Sequence, residues 1–238
     1  MLSHEKLELK EKTIQVWHCN FDFNRDKIDF YTSLLSKDEN QRASRFKFKK
    51  DKDCYIITRG ILRLLLASYL KIEVKEISFK YTSYDKPLLA FESELKFNVS
   101  HSGNRAVFAF FKGTEIGVDI EKIKTDFDVL ELAQNFFSKT EIASLEKQPK
   151  SELARAFFRC WTRKESFIKA EGSGLSFPLD KFTVSLNHDL EADLLETEWN
   201  PLEKDQWQLF SFVPFIDYIG AVAVPCSIAK INYFNWDA

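Results

Sequence analysis

From Glu152 to Glu171 the apolar residues Leu153, Phe157, Cys160, Trp161 and Ile168 recur at helical spacing, and Gly172-Ser173-Gly174 follows at once. An apolar stripe of that length must lie on a core, and the glycines mark where the helix stops. Asp53–Leu70 carries a second such stripe, with Tyr55, Ile57, Ile61, Leu62, Leu65, Leu66 and Tyr69. Strand-like runs and shorter helical segments surround both. Ile14–Cys19 reads as a strand, Lys27–Leu35 and Lys37–Arg45 as helices with Ser36 as an N-cap, and Phe97–Val99 with Ala106–Phe111 as a hairpin. Thr82–Pro87 reads as a turn.

After Lys112-Gly113 the order repeats: a strand at Ile116–Ile120, helices at Val129–Phe137 and Lys139–Leu145, the long helix, then strands at Phe182–Leu186, Trp207–Val213 and Ile219–Val224. This predicts an α+β protein built as a pseudo-symmetric pair of similar lobes, residues 1–112 and 113–238. The halves share no visible sequence repeat. The 23 phenylalanines supply apolar volume for the cores, and the 7 glycines and 6 prolines leave little room for long flexible loops.

Composition narrows the function. A formal net charge of −2 does not describe a protein that coats nucleic acid. Cys19, Cys54, Cys160 and Cys226 are widely spaced, as expected of reduced thiols in the cytoplasm. Met1–Lys12 holds no apolar signal core. The longest apolar runs, such as Ile61–Tyr69, are too short for a bilayer. No HExxH or Cys/His spacing suggests zinc, and no GxxxxGK[ST] or GxGxxG loop suggests a nucleoside triphosphate or dinucleotide.

The chemistry-bearing residues are acidic and basic. Asp119 and Glu121 alternate with Val118 and Ile120, so on a strand they share a face, roughly 6–7 Å apart along the chain. Two carboxylates there can hold one hard cation such as magnesium; a solvated edge strand gives the same pattern. Glu165 lies at the margin of the long helix's stripe with Lys169 at i+4, either a surface ion pair or a metal-facing acid beside a phosphate-facing lysine. Lys164 projects into the apolar stripe and needs an oxygen partner. Arg42–Lys52 is a basic run interleaved with Phe46 and Phe48.

In order along the chain stand Phe97-Asn-Val-Ser-His-Ser-Gly103, Ile116-Gly-Val-Asp-Ile-Glu-Lys122, Phe136-Phe-Ser-Lys-Thr-Glu141, Trp161-Thr-Arg-Lys-Glu-Ser-Phe-Ile-Lys-Ala-Glu-Gly172 and Gly174-Leu-Ser-Phe-Pro-Leu179. This succession resembles the signature blocks of the surfactin-type 4′-phosphopantetheinyl transferases across roughly residues 14–225. The resemblance implies that family's fold, with the active site in the interlobe cleft. It also implies transfer of 4′-phosphopantetheine from coenzyme A to a serine of an apo acyl or peptidyl carrier protein, releasing adenosine 3′,5′-bisphosphate.

By resemblance, Asp119, Glu121 and Glu165 are the acids that bind magnesium, or manganese in its place. Lys169 meets the α-phosphate, and Glu141 is a carboxylate that assists proton removal. Ser100, His101, Lys86, Arg42 and Arg45 contact coenzyme A. The proton acceptor is left open among Glu165, Glu141 and a metal-bound water. Asp85 stands where the family usually has glycine before Lys-Pro, and Glu39 where a basic residue is expected. Phe127–Phe137, with Lys122 and Lys124, is the expected carrier-protein patch. A monomer is expected, because the two lobes complete one site within one chain. The alternatives are a non-catalytic coenzyme A binder on the same fold and an acid-built phosphodiesterase; three retained acids disfavour the first and the charge balance the second.

Overall fold

The computed structural model describes residues 7–172, 174, 177–225 and 230–237. Cys226, together with Ser173, Leu175 and Ser176 of the expected glycine-flanked block, lies outside the described residues. The first half runs β1 (Thr13–Asn20), α1 (Ile28–Leu34), α2 (Lys37–Ser44), α3 (Lys49–Leu70), β2 (Phe79–Tyr81), β3 (Pro87–Leu89), β4 (Leu95–Ser102) and β5 (Arg105–Lys112). The second half runs β6 (Gly117–Lys122), α4 (Val129–Phe136), α5 (Lys139–Glu146), α6 (Leu153–Glu171), β7 (Phe182–Val184), β8 (Leu194–Thr197), β9 (Gln208–Phe212) and β10 (Tyr218–Val224). β11 (Lys230–Asn235) closes the chain.

The two halves correspond element by element. The order β1-β5-β4 in the first sheet is repeated as β6-β10-β9 in the second, and β2-β3 has its counterpart in β7-β8. The pseudo-symmetric pair of lobes expected from the sequence is therefore present. β11 breaks the symmetry: it pairs in parallel with β1, from Thr13 opposite Lys230 to His18 opposite Asn235. The C-terminal part of the expected second lobe is thus a strand of the first. Trp236 beyond it donates to Tyr31 Oη at 3.1 Å, and Asp237 Oδ2 accepts from Asn20 N–H at 2.7 Å.

Strand alternation sorts the side chains into three cores. Trp17, Cys19, Phe108 and Phe110 face α1–α3, with Ile57, Ile61 and Leu65 of α3. On the opposite face of the same strands, Ile14, Val16, Val107 and Ala109 meet Val118, Ile120 and Val222 of the second sheet. α6 covers the far side of that second sheet, and α4 and α5 pack on α6 around Phe157, Cys160, Phe167 and Ile168. The result is helices, sheet, sheet, helices.

Local sequence explains the boundaries. Ser36 caps α2 and Ser138 caps α5, each in a reciprocal box with the glutamate three residues on, Glu39 and Glu141. Gly172 ends α6 at φ 80°, and its N–H bonds the Ile168 carbonyl. α3 begins at Lys49, four residues before the apolar stripe, because its first turn is charged and exposed; Lys49 pairs with Asp53 at 2.5 Å there. β2, β3, β8 and β11 are short or lack alternation and are not visible in the sequence pattern.

Candidate active site

β4 and β6 are edge strands of different sheets. They run side by side in the same direction, and side chains of β4 stand in for the missing backbone ladder. Val118 N–H donates to Asn98 Oδ1 at 2.9 Å, Ile120 N–H to Ser100 Oγ at 3.4 Å, and Lys122 N–H to Ser102 Oγ at 3.1 Å. The partners advance two residues at a time on both strands. The buried edge of β6 is satisfied without pairing, and the lobes are held in one register.

The two serines also reach the acids. Ser100 donates to Asp119 Oδ1 at 2.7 Å and Ser102 to Glu121 Oε2 at 2.6 Å. Asp119 and Glu121 thus share the face toward the lobe junction, as two-residue spacing predicts. Asp119 is buried and Glu121 half-buried.

α6 lies directly on β6. A Cβ on Gly117 would sit 1.9 Å from the Ser166 carbonyl oxygen and 2.4 Å from Ala170 N, so only glycine permits this approach. The approach puts Lys169 on Asp119: its ammonium donates to Asp119 Oδ1 at 2.6 Å and to Ser100 Oγ at 3.2 Å. Burial works against that ammonium, but Asp119 and Glu165 outweigh it and hold its pKa above the ordinary lysine value. Burial pushes the Glu165 carboxyl up to about 7; Lys169 opposes this, and Asp119 and Glu121 add to it. Burial and then Asp119 likewise raise Glu121.

Two carboxylate oxygens in this group, Asp119 Oδ2 and Glu165 Oε1, are buried with no hydrogen-bond partner among the described residues. Desolvated acceptors of this kind are costly, and a hard cation with a preference for oxygen satisfies them. The donor set therefore fits magnesium or manganese. The fit is of chemistry rather than of a finished cage, since no group of three acidic, His or Cys side chains among the described residues is arranged to hold a metal.

The other expected residues fall into separate places. His101 follows Ser100 on β4 and is exposed. Lys86 donates to the Lys169 carbonyl at 2.7 Å and pairs with Glu115 at 3.2 Å, so it ties the Thr82–Lys86 turn to the end of α6. Arg42 and Arg45 line a cavity of about 530 Å³ with Tyr55, Tyr81 and Asp85. Arg42 lies over the Tyr81 ring at 5.6 Å and 3.6 Å from the Asp85 carboxylate. Asp85 takes the glycine-like φ of 60°, which aspartate tolerates better than most residues, so the turn survives the substitution.

Glu141 makes its contacts apart from the acid group. It is 1% exposed, and its oxygens accept from Ser138 N–H, Val184 N–H and the Lys164 ammonium, the last at 2.9 Å. Lys164 in turn donates to the Leu179 and Phe182 carbonyls at 2.7 and 2.5 Å. That accounts for the lysine inside the apolar stripe. Glu39 is the counterpart in the first lobe: 1% exposed, capping α2 and held by Arg63 at 2.7 Å. It is no missing phosphate contact. The expected carrier-protein patch is reduced too, since Phe127 and Phe137 pack on Phe157 in the second core.

Desolvated acids and a lysine at the junction of two lobes carry the charges that phosphate chemistry requires. Residues 115–223 match the family model described as the 4′-phosphopantetheinyl transferase superfamily, and residues 19–111 match that for the N-terminal part of 4′-phosphopantetheinyl transferases. The chain is 34% identical over 221 residues to the 4′-phosphopantetheinyl transferase HetI of Nostoc sp., covering 92% of this chain and 90% of that one. It is 36% identical over 171 residues to the 4′-phosphopantetheinyl transferase Sfp of Bacillus subtilis, covering 72% and 75%. The protein belongs to the 4′-phosphopantetheinyl transferase superfamily.

Proposed function

We propose that the junction of β4, β6 and α6 is the centre at which this 4′-phosphopantetheinyl transferase works, with Asp119, Glu121 and Glu165 holding a divalent cation. The enzyme moves the 4′-phosphopantetheine arm of coenzyme A to a serine hydroxyl of an apo carrier protein and leaves adenosine 3′,5′-bisphosphate. The observation that carries the site assignment is the pair of orphaned oxygens, Asp119 Oδ2 and Glu165 Oε1, beside the Lys169 ammonium. A divalent cation held by Asp119, Glu121 and Glu165 would supply charge neutralisation for the pyrophosphate.

The chain's own residues supply the rest. Lys169, anchored on Asp119 and Ser100, is a fixed cation for the α-phosphate. Glu165, facing the same junction as Asp119 and Lys169, is proposed as a cation ligand and as an acceptor for the serine proton. His101, Lys86, Arg42 and Arg45 are proposed for the phosphates of coenzyme A, with Tyr81 and Tyr55 offering flat surfaces to the nucleotide. Lys86 meets phosphate by exchanging its Glu115 contact. Both acids of β6 and the serines of β4 come from one chain, which supports a monomer. The described cysteines Cys19, Cys54 and Cys160 are free and buried, which supports a reducing, cytoplasmic setting. No described helix is long and apolar enough to cross a membrane.

A coenzyme A binder without transferase activity would gain nothing from desolvated carboxylates. Release of adenosine 3′,5′-bisphosphate from coenzyme A and magnesium, measured with and without apo carrier protein, tests the reading. Carrier-dependent release is expected; no release in either case, or equal release in both, contradicts it.

A further inference from the structure

Ser102 is the last rung of the β4–β6 ladder. Its hydroxyl accepts the Lys122 N–H at 3.1 Å and donates to Glu121 Oε2 at 2.6 Å. A serine hydroxyl carries one proton. With the backbone N–H on its acceptor side, that proton is directed at the carboxylate. Asp119 has two donors, Ser100 and Lys169. Among the described residues Glu121 pairs with no cation within 4 Å, and Ser102 is its one hydrogen-bond donor. A half-buried glutamate has three side-chain torsions to fix, and a single short charge-assisted bond fixes them here.

We propose that Ser102 is a positioning residue for the reaction: it sets the rotamer of Glu121, and so the separation of the two β6 acids. The same oxygen is a rung between the lobes, so the pose of Glu121 follows the register of β4 against β6. The hydroxyl of Ser100 stands in the same relation to Asp119, but Lys169 duplicates its bond; at Glu121 no described residue duplicates that of Ser102. The inference rests on Glu121 being a cation ligand.

The test is manganese binding by electron paramagnetic resonance, with coenzyme A present, on the wild type, Ser102→Ala, Ser102→Thr, Glu121→Ala and the double variant Ser102→Ala/Glu121→Ala. Thermal melts are run alongside. Ser102→Ala is expected to weaken manganese about 10-fold or more, and Ser102→Thr, which keeps the hydroxyl, to stay within about 3-fold of the wild type. The melting temperature of Ser102→Ala should move little, because the Lys122 N–H is exposed and water replaces the lost acceptor. In the Glu121→Ala background Ser102→Ala should cost nothing more. Wild-type manganese binding by Ser102→Ala, with Glu121→Ala weakened, overturns the positioning role and leaves the metal reading intact. An added loss in the double variant shows a general structural role and also overturns it. Unchanged binding by Glu121→Ala removes the metal reading at that residue, and this inference with it.

Discussion

Glu141→Gln separates a structural carboxylate from a catalytic one. Both side chains of the Glu141–Lys164 pair are 0% exposed, at 2.9 Å, and the Lys164 ammonium lies 4.0 Å from the Phe182 ring centre. The glutamine keeps the shape and can still accept from one of the two backbone N–H groups, Ser138 or Val184. It removes the counter-charge from a lysine that cannot reach water. Breaking a buried pair from one side costs about 3–5 kcal/mol. For a chain of this length 1 kcal/mol shifts the melting temperature by about 2–4 °C, so a drop of roughly 6–20 °C is expected. Calorimetry reads that drop, and carrier-labelling rates well below the new transition should stay within about threefold of the wild type, because a group outside the reacting centre contributes little to the barrier. Adding Lys164→Met should recover part of the stability, but not all, since the Leu179 and Phe182 carbonyls then lose their donor. A Glu141→Gln protein with unchanged melting temperature and a rate reduced a hundredfold or more would refute the structural assignment.

Other outcomes follow from the same geometry. Lys169→Ala should lower kcat by about 10²–10³, the usual effect of removing one preorganised donor to developing charge, with the fold retained by circular dichroism. Glu165→Gln should abolish carrier labelling while leaving the protein folded. In the metal-free protein the Glu165 carboxyl is raised from 4.5 to about 7, so the folded state holds the proton more tightly. That contribution is full below about pH 4.5 and is lost as pH rises through about 7, amounting to at most about 3 kcal/mol. Urea titrations of wild type and Glu165→Gln should therefore differ in slope between pH 5 and 7, with the wild type losing more stability toward pH 7. Gly117→Ala should disable the enzyme by forcing α6 off β6, read as loss of both manganese affinity and melting temperature.

The lobes were legible because their long helices carry regular apolar stripes and their caps are local. Ser36 with Glu39 and Ser138 with Glu141 also hold the trace of the internal repeat that direct comparison of the halves misses. Each glutamate is buried against a cation of its lobe's long helix, Arg63 or Lys164. Two residues read from the sequence as bearing on the site, one as an assisting base and one as a misplaced acid, thus occupy equivalent positions in the two lobes. Spacing could not reveal this, because the partner cations are 23 or 24 residues away and become neighbours only on packing. Asp119, Glu121 and Glu165 were legible as acids, but their desolvation was not, since it comes from α6 resting on Gly117. Ser102 was visible only as a letter in a block. Its signal was the alternation Asn98, Ser100, Ser102: polar side chains on one face of a strand whose other face is core. β11 lies far in sequence from β1, its partner, and carries no period that announces it.

The decisive measurement is intact mass spectrometry of a panel of apo carrier proteins incubated with coenzyme A, magnesium and either wild-type enzyme or Glu165→Gln, well below the melting transition of each. At least one carrier is expected to gain a single phosphopantetheine on its serine with the wild type, chelation to stop the gain, and Glu165→Gln to give none. Wild-type labelling that persists in chelator, or undiminished labelling by Glu165→Gln, would contradict a cation-dependent centre at Asp119, Glu121 and Glu165.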